Sequence, residues 1–146
     1  MKSDVITPRG FHTHGKEFFA AAEAVLSIKK PPMLPVAFLW GRTIELLFKS
    51  FLLSEGVPIK RLRSKEFGHN LVALHREACA RGLSGLVGTD AEFAALIQLL
   101  NIEYGSKRLE YRESGTMYSI PEPELARRFI RRLLKGINFR LMQNGV

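Results

Sequence analysis

Residues 35–55 read PVAFLWGRTIELLFKSFLLSE. At about 100° per residue, Val36, Phe38, Leu39, Trp40, Ile44, Leu46, Leu47, Phe48, Phe51, Leu52 and Leu53 leave scarcely any polar side, and no period-two alternation runs through them. A helix apolar nearly all round belongs at the centre of a bundle, so the stretch predicts a central helix from Pro35 to Glu55, closed by Gly56. It also predicts a homodimer, because about five helices in one small chain offer few surfaces with which to cover so many apolar sides.

Four further segments carry helical periodicity and none a convincing strand pattern, which predicts an all-α, single-domain, up-and-down bundle. Residues 15–30 place Phe18, Phe19, Ala22, Val25, Leu26 and Ile28 on one face and stop at Lys29 and Lys30 before Pro31 and Pro32. A third helix, from His69 or Asn70 to Arg81, gathers Leu71, Leu74 and Ala78 ahead of Gly82. A capping box from Thr89 to Glu92 opens the fourth, which continues through FAALIQLLNIEYGSKRLEY and softens at Gly105. After the turn-rich RESGTMYS, the last helix begins near Pro121 and buries Leu125, Phe129, Ile130, Leu133, Leu134 and Ile137, with Glu122 and Glu124 at the macrodipole end that favours acids. Residues 1–14 read as a flexible polar lead-in, residues 15–146 as the bundle, and Pro58 to Gly68 as a basic loop.

The chain has 146 residues, 46% hydrophobic and 25% charged, which suits one packed core and excludes a disordered or fibrous chain. The longest charge-free run, between Lys30 and Arg42, contains Pro31, Pro32 and Pro35 and is too short to span a bilayer. With no apolar signal core at the N-terminus, a cytoplasmic protein without a membrane partner is expected. The lone Cys79 precludes an internal disulfide and a thiolate metal site, and His12 and His14 have no third ligand nearby, so neither metal nor cofactor is expected.

The formal net charge is +8, and the part from Glu124 onward supplies +5 of it: Arg127, Arg128, Arg131, Arg132, Lys135 and Arg140 against Glu124 alone. With the apolar stripe turned inward, Arg127, Arg128, Arg131 and Lys135 are predicted on the flanks and outer face, either as a ridge for a polyanion, RNA first, or as a solubilising surface. A smaller basic cluster, Lys60, Arg61, Arg63 and Lys65, lies in the loop.

Arg42, Glu45 and Lys49 are the only charges inside the central helix, and their spacing of three and four puts them on one face. That face is either a solvent strip or a polar seam in a groove. In the fourth helix Ile97, Leu100, Tyr104, Arg108 and Tyr111 share one line, which places an arginine on an apolar and aromatic stripe. Such an arginine needs an acid, for which Glu45 is the candidate, or a groove between the tyrosines. Tyr104, Arg108, Tyr111, Arg112, Glu45 and Lys49 therefore form the predicted ligand-binding set. His69 reads as a cap or packing element, or as a base.

FFAAAEAVL in the first helix, TIELLFKSFLLSEG in the second, GHNLVAL opening the third and Tyr104 with KRLEYR in the fourth resemble, in order and spacing, the HEPN superfamily of small helical domains. The resemblance spans the chain from about Phe18 to the last helix. It implies a helical bundle, commonly homodimeric, associated with RNA or nucleotides. Many members are metal-independent ribonucleases that use an arginine followed, four to six intervening residues later, by a histidine near the last long helices. No histidine follows His75 here, so Arg108 and Arg112 have no such partner. Arg63 and His69 have the spacing but lie before the third helix, and are the catalytic candidates only if the chain is an enzyme. Three functions follow: a non-catalytic domain binding RNA or nucleotide, a ribonuclease, or the helical partner of a small nucleotidyltransferase in a toxin-antitoxin or phage-defence pair.

Overall fold

A computed structural model of the chain describes residues 6–88, 90–105 and 120–146. Among the described residues the regular structure is all helix, with no strand. The helices are α1 (Pro8–Leu26), α2 (Met33–Ser54), α3 (Ile59–Leu62), α4 (Leu71–Ala80), α5 (Ser84–Val87), α6 (Ala91–Tyr104) and α7 (Pro123–Gln143). The periodicity predicted about five; the additions are single turns, α3 inside the basic loop and α5 after Gly82, each too short to show a period. None of the helices is long and apolar enough to cross a membrane.

α2 packs against α1, α3, α4, α6 and α7. Trp40, Ile44, Leu47, Phe48, Phe51 and Leu52 are completely buried, each removing a side chain worth about 1.5–3 kcal/mol from water. One chain thus covers nearly all of the apolar surface of α2, so the apolar sides of this helix do not by themselves call for a second copy.

The first helix starts at Pro8, seven residues ahead of the sequence expectation. Thr7 caps it, its Oγ1 accepting from the Gly10 amide at 2.9 Å, and Pro8 at the first helical position loses no hydrogen bond there. Much of the expected lead-in is therefore anchored. His12 is buried with its Nε2 donating to the Leu134 carbonyl at 2.9 Å, Arg9 donates to Asn138 Oδ1 at 2.6 Å, and Ser50 Oγ donates to the Pro8 carbonyl at 2.7 Å. Gly15 brings the helix down on α2, since a Cβ there would stand 3.1 Å from Leu47.

The cap of α6 is Asp90, whose Oδ1 accepts from the Glu92 amide at 2.9 Å, and Thr89 of the expected capping box lies outside the described residues. α7 begins two residues later than expected because the Glu122 carboxylate is itself the cap, accepting from the Glu124 and Leu125 amides at 3.0 and 2.8 Å. Its inward stripe is Ala126, Phe129, Ile130, Leu133, Gly136, Ile137 and Leu141, with Leu125 and Leu134 half-buried.

Candidate functional site

Glu45, with 1% of its side chain exposed, is the polar centre of the bundle. Both carboxylate oxygens are used. Arg42 Nη1 and Lys49 Nζ donate to Oε2 at 2.8 and 3.0 Å, while His69 Nδ1 and the Tyr104 hydroxyl donate to Oε1 at 2.6 and 2.8 Å. Arg42 and Lys49 lie one turn to either side on α2, where positions three and four apart face each other. Tyr104 arrives from the last turn of α6 and His69 from the loop ahead of α4, stacked on the tyrosine ring with centroids 6.0 Å apart. The face read as either a strip or a seam is a seam.

Two backbone features let these groups meet. A Cβ on Gly41 would lie 2.1 Å from Cδ1 of Tyr104, so only glycine lets that ring rest on α2 and reach Glu45. Asn101 Oδ1 accepts from the Leu71 amide at 2.8 Å, and Asn70 Oδ1 caps α4 by accepting from Ala73 at 3.1 Å. These contacts fasten α6 to the start of α4 and hold His69 beside it. Asn70, not His69, is the cap. Gly41 and Asn101 were missed in the sequence; a lone glycine inside an otherwise apolar helix was the available signal.

Burial by itself raises the Glu45 pKa, but the Lys49 charge and the hydrogen bonds from His69, Tyr104 and Lys49 outweigh it and hold the carboxyl below its ordinary value of 4.5. Burial and the adjacent Glu45 charge push the Tyr104 hydroxyl well up, so it stays a donor. An ionised carboxylate only accepts, so His69 carries a proton on Nδ1 and, in its neutral form, a lone pair on Nε2. The His69 side chain is 42% exposed and that of Arg42 34%, whereas Lys49 is 12% exposed. The mouth of the seam thus presents an oriented imidazole and part of a guanidinium above a buried anion.

Arg108, Tyr111 and Arg112 lie outside the described residues. Arg63 is exposed beyond α3, and the recorded partners of His69 are Glu45 and Tyr104. In the loop cluster, Arg61 is engaged by Glu66 and Glu77 at 2.9 and 3.3 Å, while Lys60, Arg63 and Lys65 are exposed. No group of three or more His, Cys, Asp or Glu among the described residues could hold a metal ion.

A second polar region lies on the outer face of α7. Arg128, Arg131, Arg132 and Lys135 are exposed. Arg127 is drawn sideways instead, donating to both Glu23 carboxylate oxygens at 2.8 and 2.9 Å and pairing with Glu124. One depression is lined by Glu124, Arg128, Arg131, Arg132 and Lys135. A neighbouring one between α1 and α7 shares Arg131 and Lys135 and adds Arg9 and Lys16. A third shares Arg132 and Lys135 and is edged by Phe139. Two ridge cations have acidic neighbours: Arg128 donates to Glu92 at 2.9 Å, an exposed pair that contributes little, and Arg131 lies 3.5 Å from the part-buried Glu23. Lys135 has no ion pair among the described residues.

No protein-family model matches the chain, and neither a curated protein nor a solved structure matches it.

Proposed function

We propose that this chain is a HEPN-like helical domain that binds RNA or nucleotide without cleaving it. One observation carries the reading: six cations, Arg9, Lys16, Arg128, Arg131, Arg132 and Lys135, line three adjoining depressions whose lining among the described residues holds one carboxylate, Glu124, with Glu92 and Glu23 each beside one of the arginines. Binding phosphates there would release condensed counterions, the main source of affinity for a polyanion. A setting in a toxin-antitoxin or phage-defence pair, with a homodimer or a nucleotidyltransferase as partner, belongs to the same proposal. Fluorescence anisotropy of a labelled RNA titrated at increasing salt tests it. Affinity should fall steeply with salt, and Arg131→Gln with Lys135→Gln should flatten the log–log slope by about 1.4, two contacts at roughly 0.7 each for a single strand. An unchanged slope would move the binding surface to the Lys60–Lys65 loop.

A second reading, metal-independent ribonuclease, is favoured by one feature, the half-exposed His69 whose tautomer Glu45 sets, with Arg42 on the same carboxylate. It requires RNA cleavage by the purified protein that His69→Ala abolishes while binding persists. The reading of a non-cleaving domain expects background activity from both proteins.

A further inference from the structure

Phe139 is 56% exposed and lies on α7 beside the exposed Lys135 and Arg132. At about 100° per residue, Arg128, Arg131, Arg132, Phe139 and Met142 all fall within roughly 60° of the line through Lys135. The aromatic ring therefore continues the row of cations along α7, about 16 Å beyond Arg128 at 1.5 Å per residue. It edges a depression of about 410 Å³ whose floor is Leu86 and Val87 and whose polar rim is Arg132 and Lys135. Gly136 shapes this depression: a Cβ there would stand 2.9 Å from both the Leu86 carbonyl oxygen and Val87 Cγ1, so α5 rests directly on the α7 backbone.

We infer that this end of the ridge receives an unpaired nucleobase, stacked on Phe139, while Arg132 and Lys135 take the flanking phosphates, so that the ligand is single-stranded RNA. The inference rests on the RNA-binding reading and goes beyond it by naming the form of the nucleic acid. A row of cations alone accepts single and double strands alike, because both present phosphates. An exposed ring in line with the cations adds contact only for a base with a free face, and duplex bases have none to offer. An acidic peptide would pair with the cations and leave the ring without a role. An anionic membrane surface would want a broad apolar helix face beside the charges, and the apolar face of α7 is turned into the core.

The test uses the full-length protein, a fluorescein-labelled single-stranded 12-nucleotide RNA, the same RNA annealed to its complement, and vesicles of phosphatidylserine and phosphatidylcholine. Wild type should bind the single strand more tightly than the duplex at equal salt. Phe139→Ala should weaken single-strand binding by roughly 5- to 150-fold, the range for loss of one stacked base, and leave duplex binding unchanged. Phe139→Trp should retain or strengthen it. Because the ring is exposed, the melting temperature should not move, which separates lost contact from lost fold. Single-strand binding that survives Phe139→Ala while falling in the Arg131→Gln, Lys135→Gln double variant would overturn this inference and leave the RNA-binding reading intact. Wild type that binds neither RNA at low salt would overturn both. Vesicle binding that depends on Phe139, without RNA binding, would assign the surface to lipid and overturn both.

Discussion

The seam around Glu45 and the ridge on α7 are built from the same kind of sequence, charges three and four residues apart on a long helix, and they do opposite things. On α2, Arg42 and Lys49 converge on one buried carboxylate that His69 and Tyr104 also reach, so the donors are satisfied within the chain. On α7, Arg128, Arg131, Arg132 and Lys135 are exposed; Arg128 pairs with the exposed Glu92, Arg131 lies 3.5 Å from the part-buried Glu23, and Lys135 has no ion pair among the described residues. A satisfied cluster fixes the fold; an unsatisfied one is available to a ligand. Spacing along a helix says that charges share a face, and the neighbours of that face decide which of the two it becomes.

The largest effect that separates the regions should come from Glu45→Gln. It leaves Lys49, 12% exposed, and the partly exposed Arg42 against a neutral amide at a buried position, and the expected loss is about 3 kcal/mol in urea or thermal unfolding. A loss below about 1 kcal/mol would mean that solvent screens the seam as it does the ridge. The same variant dissects acid sensitivity. The folded Glu45 pKa is depressed, so its contribution is present above the ordinary 4.5 and disappears as pH falls through the lower folded value. Burial lowers the pKa of His12 and His75 below 6.5, so the unfolded chain takes up those protons first and stability begins to fall already below pH 6.5. Urea midpoints between pH 3 and 8 should show both phases in wild type and a smaller acid phase in Glu45→Gln, where Glu66, held below 4.5 by its hydrogen bond from Arg61, still contributes.

Gly41→Ala should cost about 1–3 kcal/mol, by driving the Tyr104 ring off α2 and away from Glu45. In a Tyr104→Ala background the cost should shrink sharply, and a double-mutant cycle without coupling would refute the packing argument. His69→Ala should destabilise by about 1 kcal/mol or less, since the ring is half-exposed and Glu45 keeps three donors. At the far end of the comparison, Arg131→Gln with Lys135→Gln should change stability by no more than about 0.5 kcal/mol while weakening RNA binding. A large stability loss there would make the ridge structural after all.

Much of this was legible in the chain itself. The apolar run from Val36 to Leu53 marks the central helix, the stripe Phe129, Ile130, Leu133 and Ile137 fixes which side of α7 is inward, and the Arg42, Glu45, Lys49 spacing identifies the polar face. Other parts were not. The start of α1 rests on the Thr7–Pro8 cap and on the burial of His12 against α7, a contact between residues 122 positions apart. Asn101 reads as an unremarkable polar residue until the Leu71 amide, 30 positions away, turns out to donate to it. Single turns such as α3 and α5 carry too few residues for a period.

Hydrophobic periodicity and charge counting therefore determined the helical class, the central place of α2 and the basic character of the C-terminal helix, because each depends on residues near one another in sequence. Tertiary structure decided that Glu45 is buried, which donors meet it, and that one chain covers α2. Each of these depends on which helices approach which face, and local spacing leaves that approach open. The clearest case is Gly41: in sequence it is a weak point in a helix, and only the arrival of Tyr104 from α6 makes the missing Cβ a requirement.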